Sequence, residues 1–237
     1  MPALEIIDLH AGYGPIHVLR GLGMRAETGG ITVVLGSNGA GKTTTLRTIM
    51  GTTNVYSGKI RVDGVDIAGW TPRRCIRERG LAIVPEGRQL FPELTVQENL
   101  IMGAYGTAMS SVDIRARIRE LAGLLPVVEL KLQHRANTLS GGEQQIVSIA
   151  RALMSHPKLI LADEVSQGVA PILTLQLWEI FRKVAHAGTS VVLVEQNVAA
   201  ALRIADWVVL LQDGKTVDEG TREHFASNEH VLRAYLS

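Results

Sequence analysis

The chain has 237 residues, 46% of them hydrophobic, with 24 Lys and Arg against 23 Asp and Glu, which is enough to bury a full core in one large domain or two lobes. Charge this close to balance, without a long basic stripe, argues against a nucleic-acid partner, and the single Cys75 cannot form an intrachain disulfide and fits a reducing compartment. No apolar run approaches the ~20 residues of a membrane-crossing helix, and the N-terminus lacks a signal-peptide pattern, so membrane attachment is expected to need a partner. The seven His residues show no paired helical spacing and no nearby Cys, which argues against a dedicated metal cage.

In chain order, the apolar runs 4–9 and 16–19 around Gly12-Tyr13-Gly14-Pro15 predict a hairpin. The run 31–35 reads as a buried strand and 44–50 as a helix. Between them lies Gly36-Ser37-Asn38-Gly39-Ala40-Gly41-Lys42-Thr43, a G-x-x-x-x-G-K-[ST] loop in the strand-loop-helix setting that makes it credible. Its glycines let the backbone curl round an oxyanion, and its N–H groups and the helix N-terminus aim at phosphates. Lys42 would meet the β- and γ-phosphates of a nucleoside triphosphate, and the Thr43 hydroxyl would ligate Mg²⁺. Runs 59–62 and 65–67 flank Asp63-Gly64, a hairpin turn signal. Pro72 opens a short basic helix that Gly80 ends, and 81–84 returns as a strand.

From Phe91 the texture changes. Thr95 and Glu98 make a capping box, helices run to about residue 125 with a break at Gly106 and a restart at Ser110-Ser111, and 92–154 reads as an all-helical insertion. Within it, Leu139-Ser140-Gly141-Gly142-Glu143-Gln144-Gln145 holds a second capping box, and Ile146, Ile149, Ala150, Leu153 and Met154 form one apolar helix face. The two glycines beside that cap bare N–H groups at a dipole end suited to a phosphate. Strand 158–162 then runs into Asp163-Glu164, followed by helix 171–187, strand 190–194, helix 198–205, a hairpin over Asp213-Gly214, and a C-terminal helical tail capped by Thr221. This alternation predicts an α/β fold with a mostly parallel, doubly covered sheet. Trp70 and Trp178 are expected in the core, and Phe91 divides between packing and contact.

A phosphate loop, then LSGGEQQ, then an apolar strand ending in Asp-Glu, resembles the ATP-binding subunit of an ABC transporter over essentially the whole chain. The resemblance implies one domain, 1–237, in which a P-loop NTPase (RecA-like) core with an N-terminal antiparallel β subdomain (1–91 and 155–237) carries an inserted α-helical subdomain (92–154). It implies ATP and Mg²⁺ as cofactors, bound at Gly36 to Thr44, with Tyr13 stacked on adenine. Asp163 would join Thr43 on Mg²⁺, and Glu164 would act as general base. In that family two subunits pair head to tail, so Ser140, Gly141, Gly142 and Glu143 would act on the partner's nucleotide.

Val84-Pro85-Glu86-Gly87-Arg88, the stretch from Phe91 to Leu100, Ser166-Gln167-Gly168-Val169-Ala170-Pro171 and Val194-Glu195-Gln196-Asn197 are similar to the LivF-type cassettes of branched-chain amino-acid importers. The implied activity is ATP hydrolysis that powers such an importer; a urea or amide importer cassette, and a soluble non-transport ABC ATPase, are the alternatives. Implied partners are a second cassette (a LivG-like sister, or a second copy), two membrane permeases and a periplasmic or extracellular solute-binding protein, at the cytoplasmic face of the inner membrane. Glu86 stands where most members have a Gln, and a carboxylate there can still ligate Mg²⁺. Gln196 replaces the usual His; it can hydrogen-bond the γ-phosphate but cannot become cationic. Ala170 replaces an Asp expected to cross the dimer interface. Ala162 and Val165 bracket the two acids where Leu and Pro are expected, which predicts a looser turn with hydrolysis retained.

Overall fold

The computed structural model describes residues 2–227; the end of the predicted C-terminal tail lies outside them. The chain opens with β1 (Leu4–Tyr13) and β2 (Ile16–Ala26), then β3 (Ile31–Leu35), the phosphate loop and α1 (Lys42–Ile49). Next come β4 (Asn54–Val62), β5 (Val65–Asp66), α2 (Pro72–Arg79) and β6 (Leu81–Val84). The helical stretch contains α3 (Val96–Gly103), α4 (Ser111–Leu124), α5 (Pro126–Lys131), a 3-10 turn at Ala136–Thr138 and α6 (Gly141–Leu153). The remainder is β7 (Leu159–Asp163), α7 (Pro171–His186), β8 (Ser190–Glu195), α8 (Val198–Ile204), β9 (Trp207–Gln212), β10 (Lys215–Thr221) and α9 (Arg222–Ser227).

Two sheets result. The antiparallel sheet has the order β2-β1-β4-β5, and the larger one β10-β9-β3-β8-β7-β6, with β9, β3, β8, β7 and β6 mutually parallel and β10 antiparallel at one edge. Strand alternation accounts for its double cover. Ile31, Val33, Leu35, Ile160, Val191 and Leu193 face a core shared with α3 to α7. Val34, Leu159, Leu161, Val192 and Val194 face the other way, onto α1 and the antiparallel sheet. The predicted core tryptophan Trp178 is buried, whereas Trp70 is half-buried with the Arg74 guanidinium 3.6 Å from its ring centre.

The first two strands are longer than their apolar runs suggest, because the pairing slips between Ile6 and Leu9 and again near Ala11, with Asp8 at φ 45. A bulge of this kind breaks the alternation that marks a strand in sequence. The two expected capping boxes, Thr95 with Glu98 and Ser140 with Glu143, are present, and at the expected Ser110-Ser111 restart Ser110 forms a third with Asp113. Gly80 ends α2 in the left-handed region at φ 64. Arg117 ties α4 to α6, donating to the Leu153 carbonyl from Nη2 at 2.7 Å.

Candidate functional site: a phosphate-loop cleft

In a parallel sheet the strand ends on one edge open together, and ligands bind there. The C-terminal end of β3 delivers the phosphate loop, that of β7 delivers Asp163 and Glu164, that of β8 Glu195 and Gln196, and that of β6 Pro85 and Glu86. Because β8 lies between β3 and β7, side chains far apart in sequence converge. A cleft of about 450 Å³ is lined by Asn38, Gly39, Gly41, Lys42, Thr43, Thr44, Glu86, Glu164 and Gln196, together with Val18 and Gln167.

Loop geometry explains two of the glycines. Gly41 starts α1 at φ 106, a conformation that side-chain-bearing residues resist, and a Cβ on Gly36 would lie 2.6 Å from the Leu211 carbonyl oxygen. Ala40 is buried, and its N–H already donates to Ser37 O at 3.2 Å. Lys42 is buried; its Nζ donates to the carbonyls of Gly36 and Ser37, both at 3.0 Å, and lies 3.5 Å from Glu164 Oε1. Gln196 Nε2 donates to the same Glu164 oxygen at 2.7 Å. Thr43 Oγ1 donates to Asp163 Oδ1 at 3.1 Å.

Burial pushes the Asp163 carboxyl up to about 6, with the charges of Glu164 and Glu86 adding to the rise and the Thr43 bond opposing it. A cation between Thr43 and Asp163 would relieve that cost. Among the described residues no three His, Cys, Asp or Glu form a cage. One hydroxyl and one or two carboxylates fit a Mg²⁺ that takes its other ligands from water and phosphate.

The remaining predicted residues lie elsewhere. Tyr13 is exposed and does not line the cleft, its hydroxyl accepting from Arg47 Nη1 at 3.5 Å. Ser140, Gly141, Gly142 and Glu143 do not line the cleft. They form the tip of α6, where Ser140 N donates to Glu143 Oε2 at 2.8 Å and holds that carboxyl below its usual range. Gly142 also has a packing reason, since a Cβ there would lie 2.2 Å from Leu173 Cδ1.

The turn at Asp163 and Glu164 is packed and bonded. Val165 is 1% exposed in the core, and Glu164 N donates to Val194 O at 3.1 Å. The segment after Glu86 is strapped to α6: Arg88 and Gln89 adopt φ 65 and 44, while Ser148 Oγ and Arg151 Nη1 donate to their carbonyls at 2.9 and 2.7 Å. Beside that strap lies an apolar groove of about 310 Å³ whose lining includes Met50, Ile83, Phe91, Met102 and Tyr105. Phe91 is 45% and Tyr105 84% exposed, so Phe91 is not a core residue.

The ABC transporter family model matches residues 19–167, from within β2 through the turn that follows Asp163 and Glu164. The chain belongs to the ABC transporter family. It is an ATP-binding cassette, the ATPase component of a transporter that also has membrane subunits. It is 41% identical to the high-affinity branched-chain amino acid transport ATP-binding protein BraG of Pseudomonas aeruginosa, over 94% of this chain and 95% of that one. A probable branched-chain amino acid transport ATP-binding protein, LivF, of Archaeoglobus fulgidus is 31% identical over 95% of each. A crystal structure of a nucleotide-free ATP-binding cassette from an ABC transporter superposes with a TM-score of 0.90 at 24% identity, covering all of both chains, and so shares the fold. Among the described residues of the cassette, no helix is long and apolar enough to cross a membrane. Val18 and Gln167 were not anticipated in the cleft: Val18 carries no chemical signal in sequence, and Gln167 stands in a stretch read for its family resemblance with no site role attached to it.

Proposed function

We propose that this cassette hydrolyses ATP to power an importer of branched-chain amino acids. The observation that carries hydrolysis is the meeting of Glu164 with Gln196 and Lys42 at the mouth of the phosphate loop, and the similarity to BraG supports the solute class. The triphosphate lies along residues 36–41 and the first turn of α1, with the Lys42 ammonium on the β- and γ-phosphates and Tyr13 against the adenine. Thr43, Asp163 and Glu86 would hold Mg²⁺, which when bound neutralises charge on the phosphate oxygens. The Glu164 carboxylate orients the attacking water and takes its proton. Gln196 steadies that carboxylate and offers a neutral donor to the γ-phosphate, with no proton relay of its own.

Ser140, Gly141, Gly142 and Glu143 act in trans on the nucleotide of a second cassette, a reading supported by their position outside the chain's own cleft. That second cassette is a LivG-like sister or another copy. Two permeases, one of them seated in the groove beside Phe91 and Tyr105, and a periplasmic or extracellular solute-binding protein complete the assembly at the cytoplasmic face of the inner membrane. Residues 92–154 form the helical signature subdomain, set beside the ATP-binding core of 1–91 and 155–237.

Replacing Glu164 by Gln keeps an acceptor for Gln196 and removes the base. Steady-state turnover is expected to fall by about 10²–10⁴ while ATP still binds; undiminished turnover removes Glu164 from the role. Reconstituted with its permeases and binding protein, the wild-type cassette should drive uptake of labelled leucine. Uptake of urea without leucine would replace the solute assignment.

A further inference from the structure

The end of β8 carries a buried acid that the reaction above does not use. Glu195 is 3% exposed, and its two oxygens take both donors of a single residue, Ser166 N at 3.3 Å and Ser166 Oγ at 2.9 Å. Burial pushes its carboxyl up to about 7 against the pull of those bonds, a desolvation cost that an apolar residue would avoid. On either side of it, Val194 O accepts Glu164 N at 3.1 Å and Gln196 Nε2 donates to Glu164 Oε1 at 2.7 Å. Three successive residues at the end of one strand therefore hold the turn that follows β7. Glu164 sits on that turn at φ 45, where a non-glycine residue stays only when its surroundings hold it.

We propose that Glu195 is a positioning residue for ATP hydrolysis: by seating Ser166 it fixes the turn that presents the Glu164 carboxylate to the cleft. The proposal rests on Glu164 acting as base. Ser166 lies two residues beyond Glu164, so releasing it leaves the turn tied to the end of β8 only through Glu164 itself, by its backbone bond to Val194 and its side-chain bond to Gln196. A displacement of about 1 Å at a reacting group costs on the order of 100-fold in rate. The grip needs shape rather than charge. A glutamine at 195 can accept the Ser166 N–H with its carbonyl and donate its amide N–H to the Ser166 hydroxyl oxygen.

The test compares full-length wild type with E195A, E195Q, S166A, the double variant E195A/S166A, and E164Q. Steady-state ATPase is measured with magnesium, and nucleotide affinity with a fluorescent ATP analogue. E195A is expected to lose about 30- to 100-fold in kcat with KM and nucleotide affinity within about twofold of wild type. E195Q should recover turnover to within about threefold of wild type, and the double variant should be no slower than E195A. Wild-type turnover in E195A, an E195Q as slow as E195A, or losses that multiply in the double variant would each overturn the proposal. Should E195A fail to fold, S166A decides: a kcat reduced about 10-fold at unchanged KM supports the role, and an unchanged kcat removes it. A fully active E164Q overturns the base assignment itself, whereas an inactive E164Q beside an unimpaired E195A overturns the role of Glu195 alone.

Discussion

Asp163 offers a test in which stability and activity move in opposite directions. Its side chain is 4% exposed and shares its surroundings with Glu164 and Glu86, and its carboxyl rises from 3.8 to about 6. An acid whose folded value lies above its unfolded value binds an extra proton in the folded state. Folding is favoured below that window and loses the advantage as pH rises from about 4 through about 6. At about 1.4 kcal/mol per pH unit, the ionised carboxylate costs the fold about 3 kcal/mol above pH 6. Asp163→Asn keeps an acceptor for the Thr43 hydroxyl, which donates at 3.1 Å, and removes the charge. The variant should therefore exceed wild type by up to about 3 kcal/mol at pH 8, and by almost nothing at pH 4. Urea unfolding in chelator, without nucleotide, measures this if the two m-values agree. The same variant should turn over ATP far more slowly, the usual price of relieving strain at a site. Equal stability at pH 8, or an advantage that persists on acidification, would refute the reasoning.

Ser140→Ala should cut turnover by at least about 10-fold while leaving ATP affinity of the isolated chain unchanged, and should lower unfolding stability by about 1 kcal/mol through loss of the α6 cap. A large loss of affinity in the monomer would contradict action on a partner's nucleotide. Cys75 is fully buried, and burial pushes its thiol up. A disulfide reagent at pH 8 should label it at least about 100-fold more slowly in the folded chain than in urea. Equal rates would show that α2 opens readily.

What the sequence made legible was local. The strand 31–35, the turn at Asp63-Gly64, the stop at Gly80 and the capping boxes all follow from contacts within four residues, and the structure has each where it was expected. The phosphate loop and the Asp-Glu strand end were readable because their chemistry is concentrated in short motifs. The extent of β1, β2 and β4 was not, since the slips that bend those strands also scramble their apolar alternation. Nor was the grip of Glu195 on Ser166, which spans 29 positions and exists only because β7 and β8 are neighbours. The same holds for Val18, brought to the cleft by the antiparallel sheet. The bond that ties Glu164 N to Val194 O was equally hidden, because it joins the residue after β7 to β8.

The groove beside α6 has a consequence for how much of this chain a cell can tolerate. Phe91, Met102 and Tyr105 are exposed to solvent, and a stripe of that kind, if it is where a permease seats, attracts other copies of the chain as well. Cassettes made in excess of their membrane subunits would therefore be expected to self-associate through this groove.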